Sequence, residues 1–155
     1  MIVEITDAEY SAFAELRFHI RLFLREGDAV ARKAGLEPQQ YLMLLAIRGL
    51  PRGSKATIRL LAERVALKHH SAVELIDRLE MQGLARRTRS RDDRRRVLVT
   101  LLPHGEKLLA EVAGQRISEL RATGAALVRT IGALLERQPK SIHGIQRRKP
   151  RKKGK

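Results

Sequence analysis

The sequence predicts a mainly α-helical domain with one small β-hairpin, and three observations predict it. Apolar residues recur at helical spacing along most of residues 7–136. Near the middle, a short helix, a tight turn and a second helix are followed directly by two strand-like segments around a polar loop. At 155 residues, the chain is long enough for one domain with a core and too short for two.

The first predicted helix covers about residues 7–34, with Asp7 as its expected N-cap. Its apolar residues recur at three- and four-residue spacing with charges between them. Gly35 supplies a C-terminal stop, and Pro38 suits the first turn of a second helix. A loop at residues 50–54, rich in proline and glycine, ends that helix.

A short third helix follows Thr57, which is its predicted N-cap. Its expected buried face consists of Leu60, Leu61, Arg64 and Val65, with Ala62 packed beneath. A turn at residues 66–68 leads to a fourth helix, whose predicted buried stripe consists of Ala72, Leu75, Ile76 and Leu79. A short helix, a tight turn and an amphipathic helix in this order are typical of a helix-turn-helix.

The predicted hairpin follows Gly83, which ends the fourth helix. Residues 84–88 and 96–101 flank its loop, and Val97, Val99 and Leu101 alternate as a strand with one buried face should. Pro103 opens another helix, and after Gly124 we expect a last one. From residue 137 the apolar content falls, so residues 137–155 are predicted to be a basic, disordered tail.

The formal charge of +15 indicates a polyanionic partner. Seven basic residues lie in the last nine positions, and removing them leaves the rest of the chain at +8. Nucleic acid is therefore the first candidate and an anionic membrane the second. The absence of cysteine excludes disulfides and thiolate zinc sites. No apolar run is long enough for a membrane span and the N-terminus lacks a signal-peptide pattern, so we expect a cytoplasmic protein without a membrane partner.

The start of the fourth helix carries the side chains that we expect to enter the major groove of double-stranded DNA. The buried stripe orients the helix and leaves the opposite face for base edges and phosphates. The predicted contacts are Lys68, His69, His70, Ser71, Val73 and Glu74. Glu74 has two interpretations, because it can accept from a cytosine amino group or pair with Arg78 one helical turn away.

The hairpin loop is dominated by arginine. Between residues 86 and 96 there are seven arginines against two carboxylates, Asp92 and Asp93. A charge run is often only a solvated face, but this one lies at a hairpin tip directly after a recognition-type helix. Arginine suits a narrow minor groove and clamps phosphates, and we expect Asp93 to hold the loop shape or to aim an arginine. The predicted DNA contacts here are Arg86, Arg89, Arg91, Arg94, Arg95 and Arg96.

Other chemistry has little support in the sequence. His69, His70 and His104 with Asp92 and Asp93 match no familiar metal-ligand spacing, so no metal site is predicted. There is no phosphate-binding glycine loop, nucleophile motif or acid–base pair, and we expect neither a catalytic residue nor a cofactor. Aromatic residues make up 3% of the chain, which is too few for the stacking platforms of many RNA-binding proteins.

Taken together, this pattern resembles the MarR (multiple antibiotic resistance regulator) family of dimeric winged-helix transcription factors. The resemblance covers about residues 7–136. The residues that carry it are Leu61-Ala62-Glu63-Arg64, Leu75-Ile76-Asp77-Arg78-Leu79-Glu80, Gly83-Leu84, Arg86, and Asp93-Arg94-Arg95 followed by Val97, Val99 and Leu101. The chain departs from the family at Lys68, Glu74 and Leu102, so an operator sequence cannot be transferred from relatives.

The resemblance implies that the outer helices form a homodimer and that Arg95 enters the minor groove. It also implies a small aromatic or phenolic ligand, bound between the dimer helices and the DNA-binding lobe, that releases DNA. Candidate pocket residues are Phe13, Arg17, His19, Phe23, Tyr41 and Arg48. Core packing is the alternative for the aromatic residues, and solvation for the arginines.

Residues 1–136 are thus predicted to form one MarR-like domain. It would have a winged helix at about residues 38–102 and dimerisation helices at about residues 7–34 and 103–136. We expect a homodimeric regulator, a repressor rather than an activator, that reads a pseudo-palindrome with half-sites about 10 bp apart. The alternative is a basic protein that binds RNA or DNA without sequence choice, using its tail and wing.

Overall fold

The computed structural model describes residues 4–136 of the chain. Within this range there are five helices and two strands: α1 (Asp7–Lys33), α2 (Pro38–Arg48), α3 (Ile58–Arg64), α4 (His69–Met81), β1 (Ala85–Arg89), β2 (Val97–Leu101) and α5 (Pro103–Leu135). The predicted fold class, mainly α with a small β-wing, is confirmed. The basic tail predicted for residues 137–155 lies outside the described residues.

Helix α1 has its N-cap one residue earlier than predicted, at Thr6 rather than Asp7. The Thr6 backbone N–H donates to the Glu9 carboxylate at 2.8 Å, and the Glu9 N–H donates to the Thr6 hydroxyl at 3.3 Å. This reciprocal capping box satisfies two backbone donors that the first turn of a helix leaves unpaired. The prediction of Asp7 as the cap was wrong, although its charge still favours the first turn.

The helix-turn-helix is formed by α3 and α4. Thr57 caps α3 as predicted, since its hydroxyl accepts from the Leu60 N–H at 3.2 Å. Leu61 and Ala62 are the buried residues of this helix, whereas Arg64 is exposed, so its assignment to the buried face was wrong. Ala66 follows in the left-handed region at φ 53°, a conformation that reverses the chain within the tight turn before α4.

Helix α4 buries the predicted stripe of Ala72, Leu75, Ile76 and Leu79. It stops where expected, because Gly83 adopts φ +67° and the next N–H, that of Leu84, donates to the Leu79 carbonyl at 2.9 Å. The chain therefore turns directly from α4 into β1. The hairpin that follows is held close to the end of the recognition-type helix.

The two strands pair antiparallel, with Ala85 opposite Leu101 and Arg89 opposite Val97. A third segment borders them: Thr57 forms an isolated bridge with Leu98, and the N–H of the next residue, Val99, donates to the Ala56 carbonyl at 2.9 Å. Val99 is buried, and it joins the core formed mainly by α2, α3 and α4. The hairpin is thus anchored on both sides to the helix-turn-helix.

Helix α5 is one continuous helix of 33 residues, so the prediction of two C-terminal helices was wrong. Gly124 does not stop it, because this glycine lacks the positive φ that ends α4 at Gly83. A glycine inside a helix costs only about 1 kcal/mol, and packing of α5 along α1 offsets this cost.

The described helices include none that is long and apolar enough to span a membrane.

The first turn of α5 packs tightly on the Leu84 peptide group, which lies between α4 and β1. The Leu102 N–H donates to the Leu84 carbonyl at 3.0 Å, and Gly105 is buried against the same peptide group. A Cβ atom at residue 105 would overlap the Leu84 carbonyl oxygen and would lie 2.9 Å from its carbonyl carbon. Only glycine allows this close approach, which fixes where the long helix leaves the winged helix.

We predict that Gly105→Ala destabilises the fold by about 3 kcal/mol, since backbone must shift to admit the methyl group. Gly114→Ala is the matched control, because it lies in the same helix and its new methyl group would meet nothing within 4 Å. It should stabilise by about 0.5–1 kcal/mol through helix propensity. Urea unfolding at one fixed protein concentration measures both, and equal effects would contradict the packing described for Gly105.

Candidate nucleic-acid interface

The first turn of α4 presents its polar side chains to solvent. Lys68, His69, His70 and Glu74 are exposed, while Ser71 and Val73 are half-buried. Lys68 is the N-cap residue but makes no side-chain capping bond, so the amino end of α4 keeps unpaired N–H groups. The N–H groups at this end can donate to phosphate oxygens, and its side chains can reach base edges.

Glu74 has two interpretations from the sequence, and one of them is a pair with Arg78. Within residues 4–136, no ion pair joins these two side chains although they are one turn apart. Asp77, one turn further along α4, differs from Glu74 because its carboxylate is paired with Arg87 at 2.6 Å. The carboxylate of Glu74 therefore stays available on the exposed face, and its contact with a base remains a prediction.

The loop between the strands, residues 90–96, is shaped by Asp93. Its carboxylate accepts from the Arg95 backbone N–H at 3.0 Å and lies 3.5 Å from Nε of Arg96. The Arg96 N–H also donates to the Asp93 carbonyl at 2.9 Å. The expectation that Asp93 holds the loop is confirmed. Its negative charge is satisfied within the loop and does not stand alone at the tip.

Several wing arginines have no partner among the described residues. Arg86, Arg91, Arg94 and Arg95 are exposed, and their guanidinium groups make no hydrogen bond or ion pair within residues 4–136. Arg89 differs, because its Nη1 donates to the Arg94 carbonyl at 3.0 Å. Arg91, Arg94 and Arg95 lie in the loop at the hairpin tip, whereas Arg86 lies opposite Thr100 toward the other end of β1. The free guanidinium groups at the tip repel one another, and a polyanion relieves this repulsion.

Arg87 behaves differently from its neighbours and clamps β1 to α4. Its guanidinium donates to the carboxylates of Asp77 and Glu80, and its backbone N–H donates to Glu80 at 2.6 Å. Burial works to lower the pKa of Arg87, but these two carboxylates raise it above its ordinary value. Together, these hydrogen bonds and ion pairs of Arg87 fix the angle between the wing and the recognition-type helix.

A second tether holds the wing tip to the loop before α3. The Lys55 ammonium lies 2.7 Å from the Asp92 carboxylate. This hydrogen bond and the charge of Lys55 hold the pKa of Asp92 below its usual value. Lys55 is half-buried and Asp92 is exposed, so water screens the pair, and it orients the tip more than it stabilises the fold.

The predicted effector residues do not all come together. Phe23 and Tyr41 line a pocket of about 270 Å³ between α1, α2 and α5, which we call the interhelical pocket. His19 lines a neighbouring pocket between α1 and α5, and Arg48 lines a groove beside β2. Phe13 and Arg17 are exposed on the first half of α1, away from the interhelical pocket. Two of the six predicted residues therefore share one cavity.

Arg116 on α5 is the polar residue that organises this pocket. It is only 4% exposed, and its guanidinium lies over the Phe23 ring at 4.3 Å from the centroid. It also donates to the Phe23 carbonyl at 2.6 Å and to the Glu119 carboxylate. The sequence offered a signal that was missed: Arg116 follows Leu109 and Val112 in the buried stripe of α5, where an arginine needs partners.

Comparison with protein-family models matches residues 34–96 to the MarR family. A curated relative from Bacillus subtilis (strain 168), the uncharacterized HTH-type transcriptional regulator YsmB, is 29% identical over 106 residues, which are 68% of this chain and 70% of the relative. The segment matched to the family contains the helix-turn-helix and the arginine loop.

Solved structures with the same fold include NadR in complex with 4-hydroxyphenylacetate, with a TM-score of 0.63 and 22% identity over 88% of this chain and 92% of NadR. AbsC of Streptomyces coelicolor, a MarR family transcriptional regulator, gives a TM-score of 0.60 and 24% identity over 78% and 81%. A mutant of S. aureus MepR bound to an oligodeoxyribonucleotide gives 0.58 and 19% over 84% and 99%.

We predict that Arg87→Ala lowers the free energy of unfolding by about 1–2 kcal/mol, because it leaves Asp77 and Glu80 close together without a cation. Arg86→Ala is the control, since it removes the same charge from the adjacent strand position without breaking a contact. Thermal unfolding at fixed protein concentration compares the variants. A loss as large for Arg86→Ala would mean that charge, not the clamp, matters.

Proposed function

We propose that this chain, which belongs to the MarR family of winged-helix transcriptional regulators, acts as a homodimeric repressor that binds a pseudo-palindromic operator and is released by a small molecule. The observation that carries the proposal is that one winged helix presents both the unpartnered arginines of its wing and the exposed amino end of α4. One element suits the minor groove and the other the major groove. Such a regulator would act in the cytoplasm, and its chemistry is binding rather than catalysis.

The basic surface supports contact with duplex DNA in two steps. The unpartnered arginines at the wing tip would displace the cations condensed on the DNA phosphates, and this release supplies affinity that does not depend on sequence. The side chains of His69, His70 and Glu74 then supply choice through base edges. The complex of the MepR mutant with an oligodeoxyribonucleotide supports this proposal, because that protein shares the fold over 84% of this chain.

Dimerisation is supported by apolar side chains that α1 and α5 leave exposed. Apart from the apolar residues that line the interhelical pocket, they are Tyr10, Phe13, Phe18, Ile20, Val128, Ile131 and Leu135. A monomer rarely exposes so many large apolar residues along two packed helices. A second copy would bury them and set the spacing between two recognition helices, as a palindromic site requires.

The interhelical pocket is the proposed effector site. It lies where α1 and α5 meet α2, so a bound molecule would contact both the outer helices and the DNA-binding lobe. Most of its lining is apolar, with Tyr41 and Arg116 among its polar groups. The complex of NadR with 4-hydroxyphenylacetate supports the idea that this fold admits a single-ring ligand.

We expect Arg95→Ala to weaken binding to an inverted repeat from upstream DNA about tenfold, and to reduce the salt dependence by roughly one phosphate contact. Arg32→Ala, which removes the same charge from the last turn of α1, should change affinity much less. Fluorescence anisotropy at several salt concentrations measures both variants. Equal affinity of the wild type for a scrambled duplex would instead favour the alternative, a basic nucleic-acid-binding protein without sequence choice.

We expect Val128→Glu to convert the dimer into a folded monomer at micromolar concentration, because this side chain is 69% exposed on α5 and outside the core. Met81→Glu is the control, since Met81 is 82% exposed at the end of α4, away from the outer helices. Sedimentation velocity and circular dichroism report mass and helix content. A wild-type chain that sediments as a monomer would contradict the dimer.

A further inference from the structure

The interhelical pocket contains one carboxylate whose charge nothing in the described part of the chain compensates. Asp28 is half-buried on α1 and lines the pocket, and within residues 4–136 its side chain has no hydrogen-bond or ion-pair partner. A partly desolvated carboxylate favours a cation close to it, since the attraction is stronger there than in bulk water. The pocket therefore offers an anchoring point for positive charge.

The cation among the described pocket-lining residues is already neutralised. The Arg116 guanidinium is paired with Glu119, lies 3.8 Å from the Glu26 carboxylate and donates to the Phe23 carbonyl. Its face is covered by the Phe23 ring. An anionic ligand would gain little from this saturated group, and it would bring a further negative charge toward Asp28, Glu26 and Glu119.

The remaining polar group, Tyr41, is neutral at physiological pH. Burial raises the pKa of its phenol above the ordinary value, and the nearby charge of Arg116 only partly opposes this shift. Tyr41 thus offers a hydroxyl and an electron-rich ring face without adding a charge. Apolar side chains such as Leu24, Leu42 and Leu45 complete a surface suited to one flat ring.

We propose that the effector of the interhelical pocket is an arylalkylamine, a single-ring organic cation whose ammonium group pairs with Asp28 while its ring lies among the apolar side chains. This inference rests on the proposed function, because it names the chemical class that the effector site takes. The ring of Tyr41 also attracts a cation through its face, which adds to the preference. A pocket of about 270 Å³ admits one ring with a short chain.

The test compares tyramine with 4-hydroxyphenylacetate, which share a phenol ring and a short chain and differ in the sign of the charged end. Isothermal titration calorimetry on the full chain at pH 7 should show tyramine binding at least about tenfold more tightly. Equal affinities, tighter binding of 4-hydroxyphenylacetate, or binding of neither compound would overturn the inference.

Asp28→Asn keeps the shape of the side chain and removes its charge, so tyramine should lose about tenfold in affinity while 4-hydroxyphenylacetate should not weaken. Glu111→Gln is the matched control, because it removes one exposed carboxylate of α5 that does not line the pocket, and it should leave both affinities unchanged. A similar tyramine loss in both variants would assign the effect to overall charge and would also overturn the inference.

DNA binding by the same preparations separates this inference from the proposed function. If the wild type binds its inverted repeat but shows no preference for tyramine, the proposed regulatory function is retained and only the proposed effector class is refuted. If the wild type binds no DNA, the proposed function falls, while calorimetry still decides whether the pocket selects a cation. Release of DNA by tyramine from the wild type but not from Asp28→Asn would support both.

Discussion

The buried apolar stripe of α4 fixes the direction of the charged groups in the proposed DNA surface. Leu75, Ile76 and Leu79 are almost fully buried, so α4 cannot rotate without exposing them. This constraint holds His69, His70 and Glu74 outward, and it places Asp77 and Glu80 where Arg87 can reach them. The wing therefore takes its orientation from the same helix that it flanks.

The arginines of this chain divide into two groups with different physical roles. Arg116 is buried and Arg87 is half-buried, and both are paired with carboxylates. Arg87 joins β1 to α4, and Arg116 joins α5 to α1. The wing-tip arginines have no such partners among the described residues. Burying a guanidinium is costly unless it is paired, whereas an exposed one stays available to a polyanion. The net charge alone does not separate these roles.

The sequence predicted the elements well and their mutual contacts poorly. Periodicity located the α4 stripe, and turn chemistry located Thr57 and Gly83, because these signals depend on residues close in the chain. Gly124 led to the wrong prediction of a helix end. A glycine of this kind ends a helix where its backbone adopts a left-handed conformation, and the residue type alone does not show which conformation it adopts. The pairs Lys55–Asp92 and Arg87–Asp77 join separate elements, so no local pattern reveals them.

Helix α2 lies between the proposed effector site and the recognition-type helix, which gives the pocket a physical route to the DNA surface. Tyr41 and Leu45 line the pocket on one face, while Met43 and Leu44 are fully buried in the core on the other. Gln40, also buried, donates to the Gln82 side chain at 2.8 Å, just past the end of α4. Because a packed helix moves as a unit, a ligand that displaces α2 would act on α4 through this bond and the core.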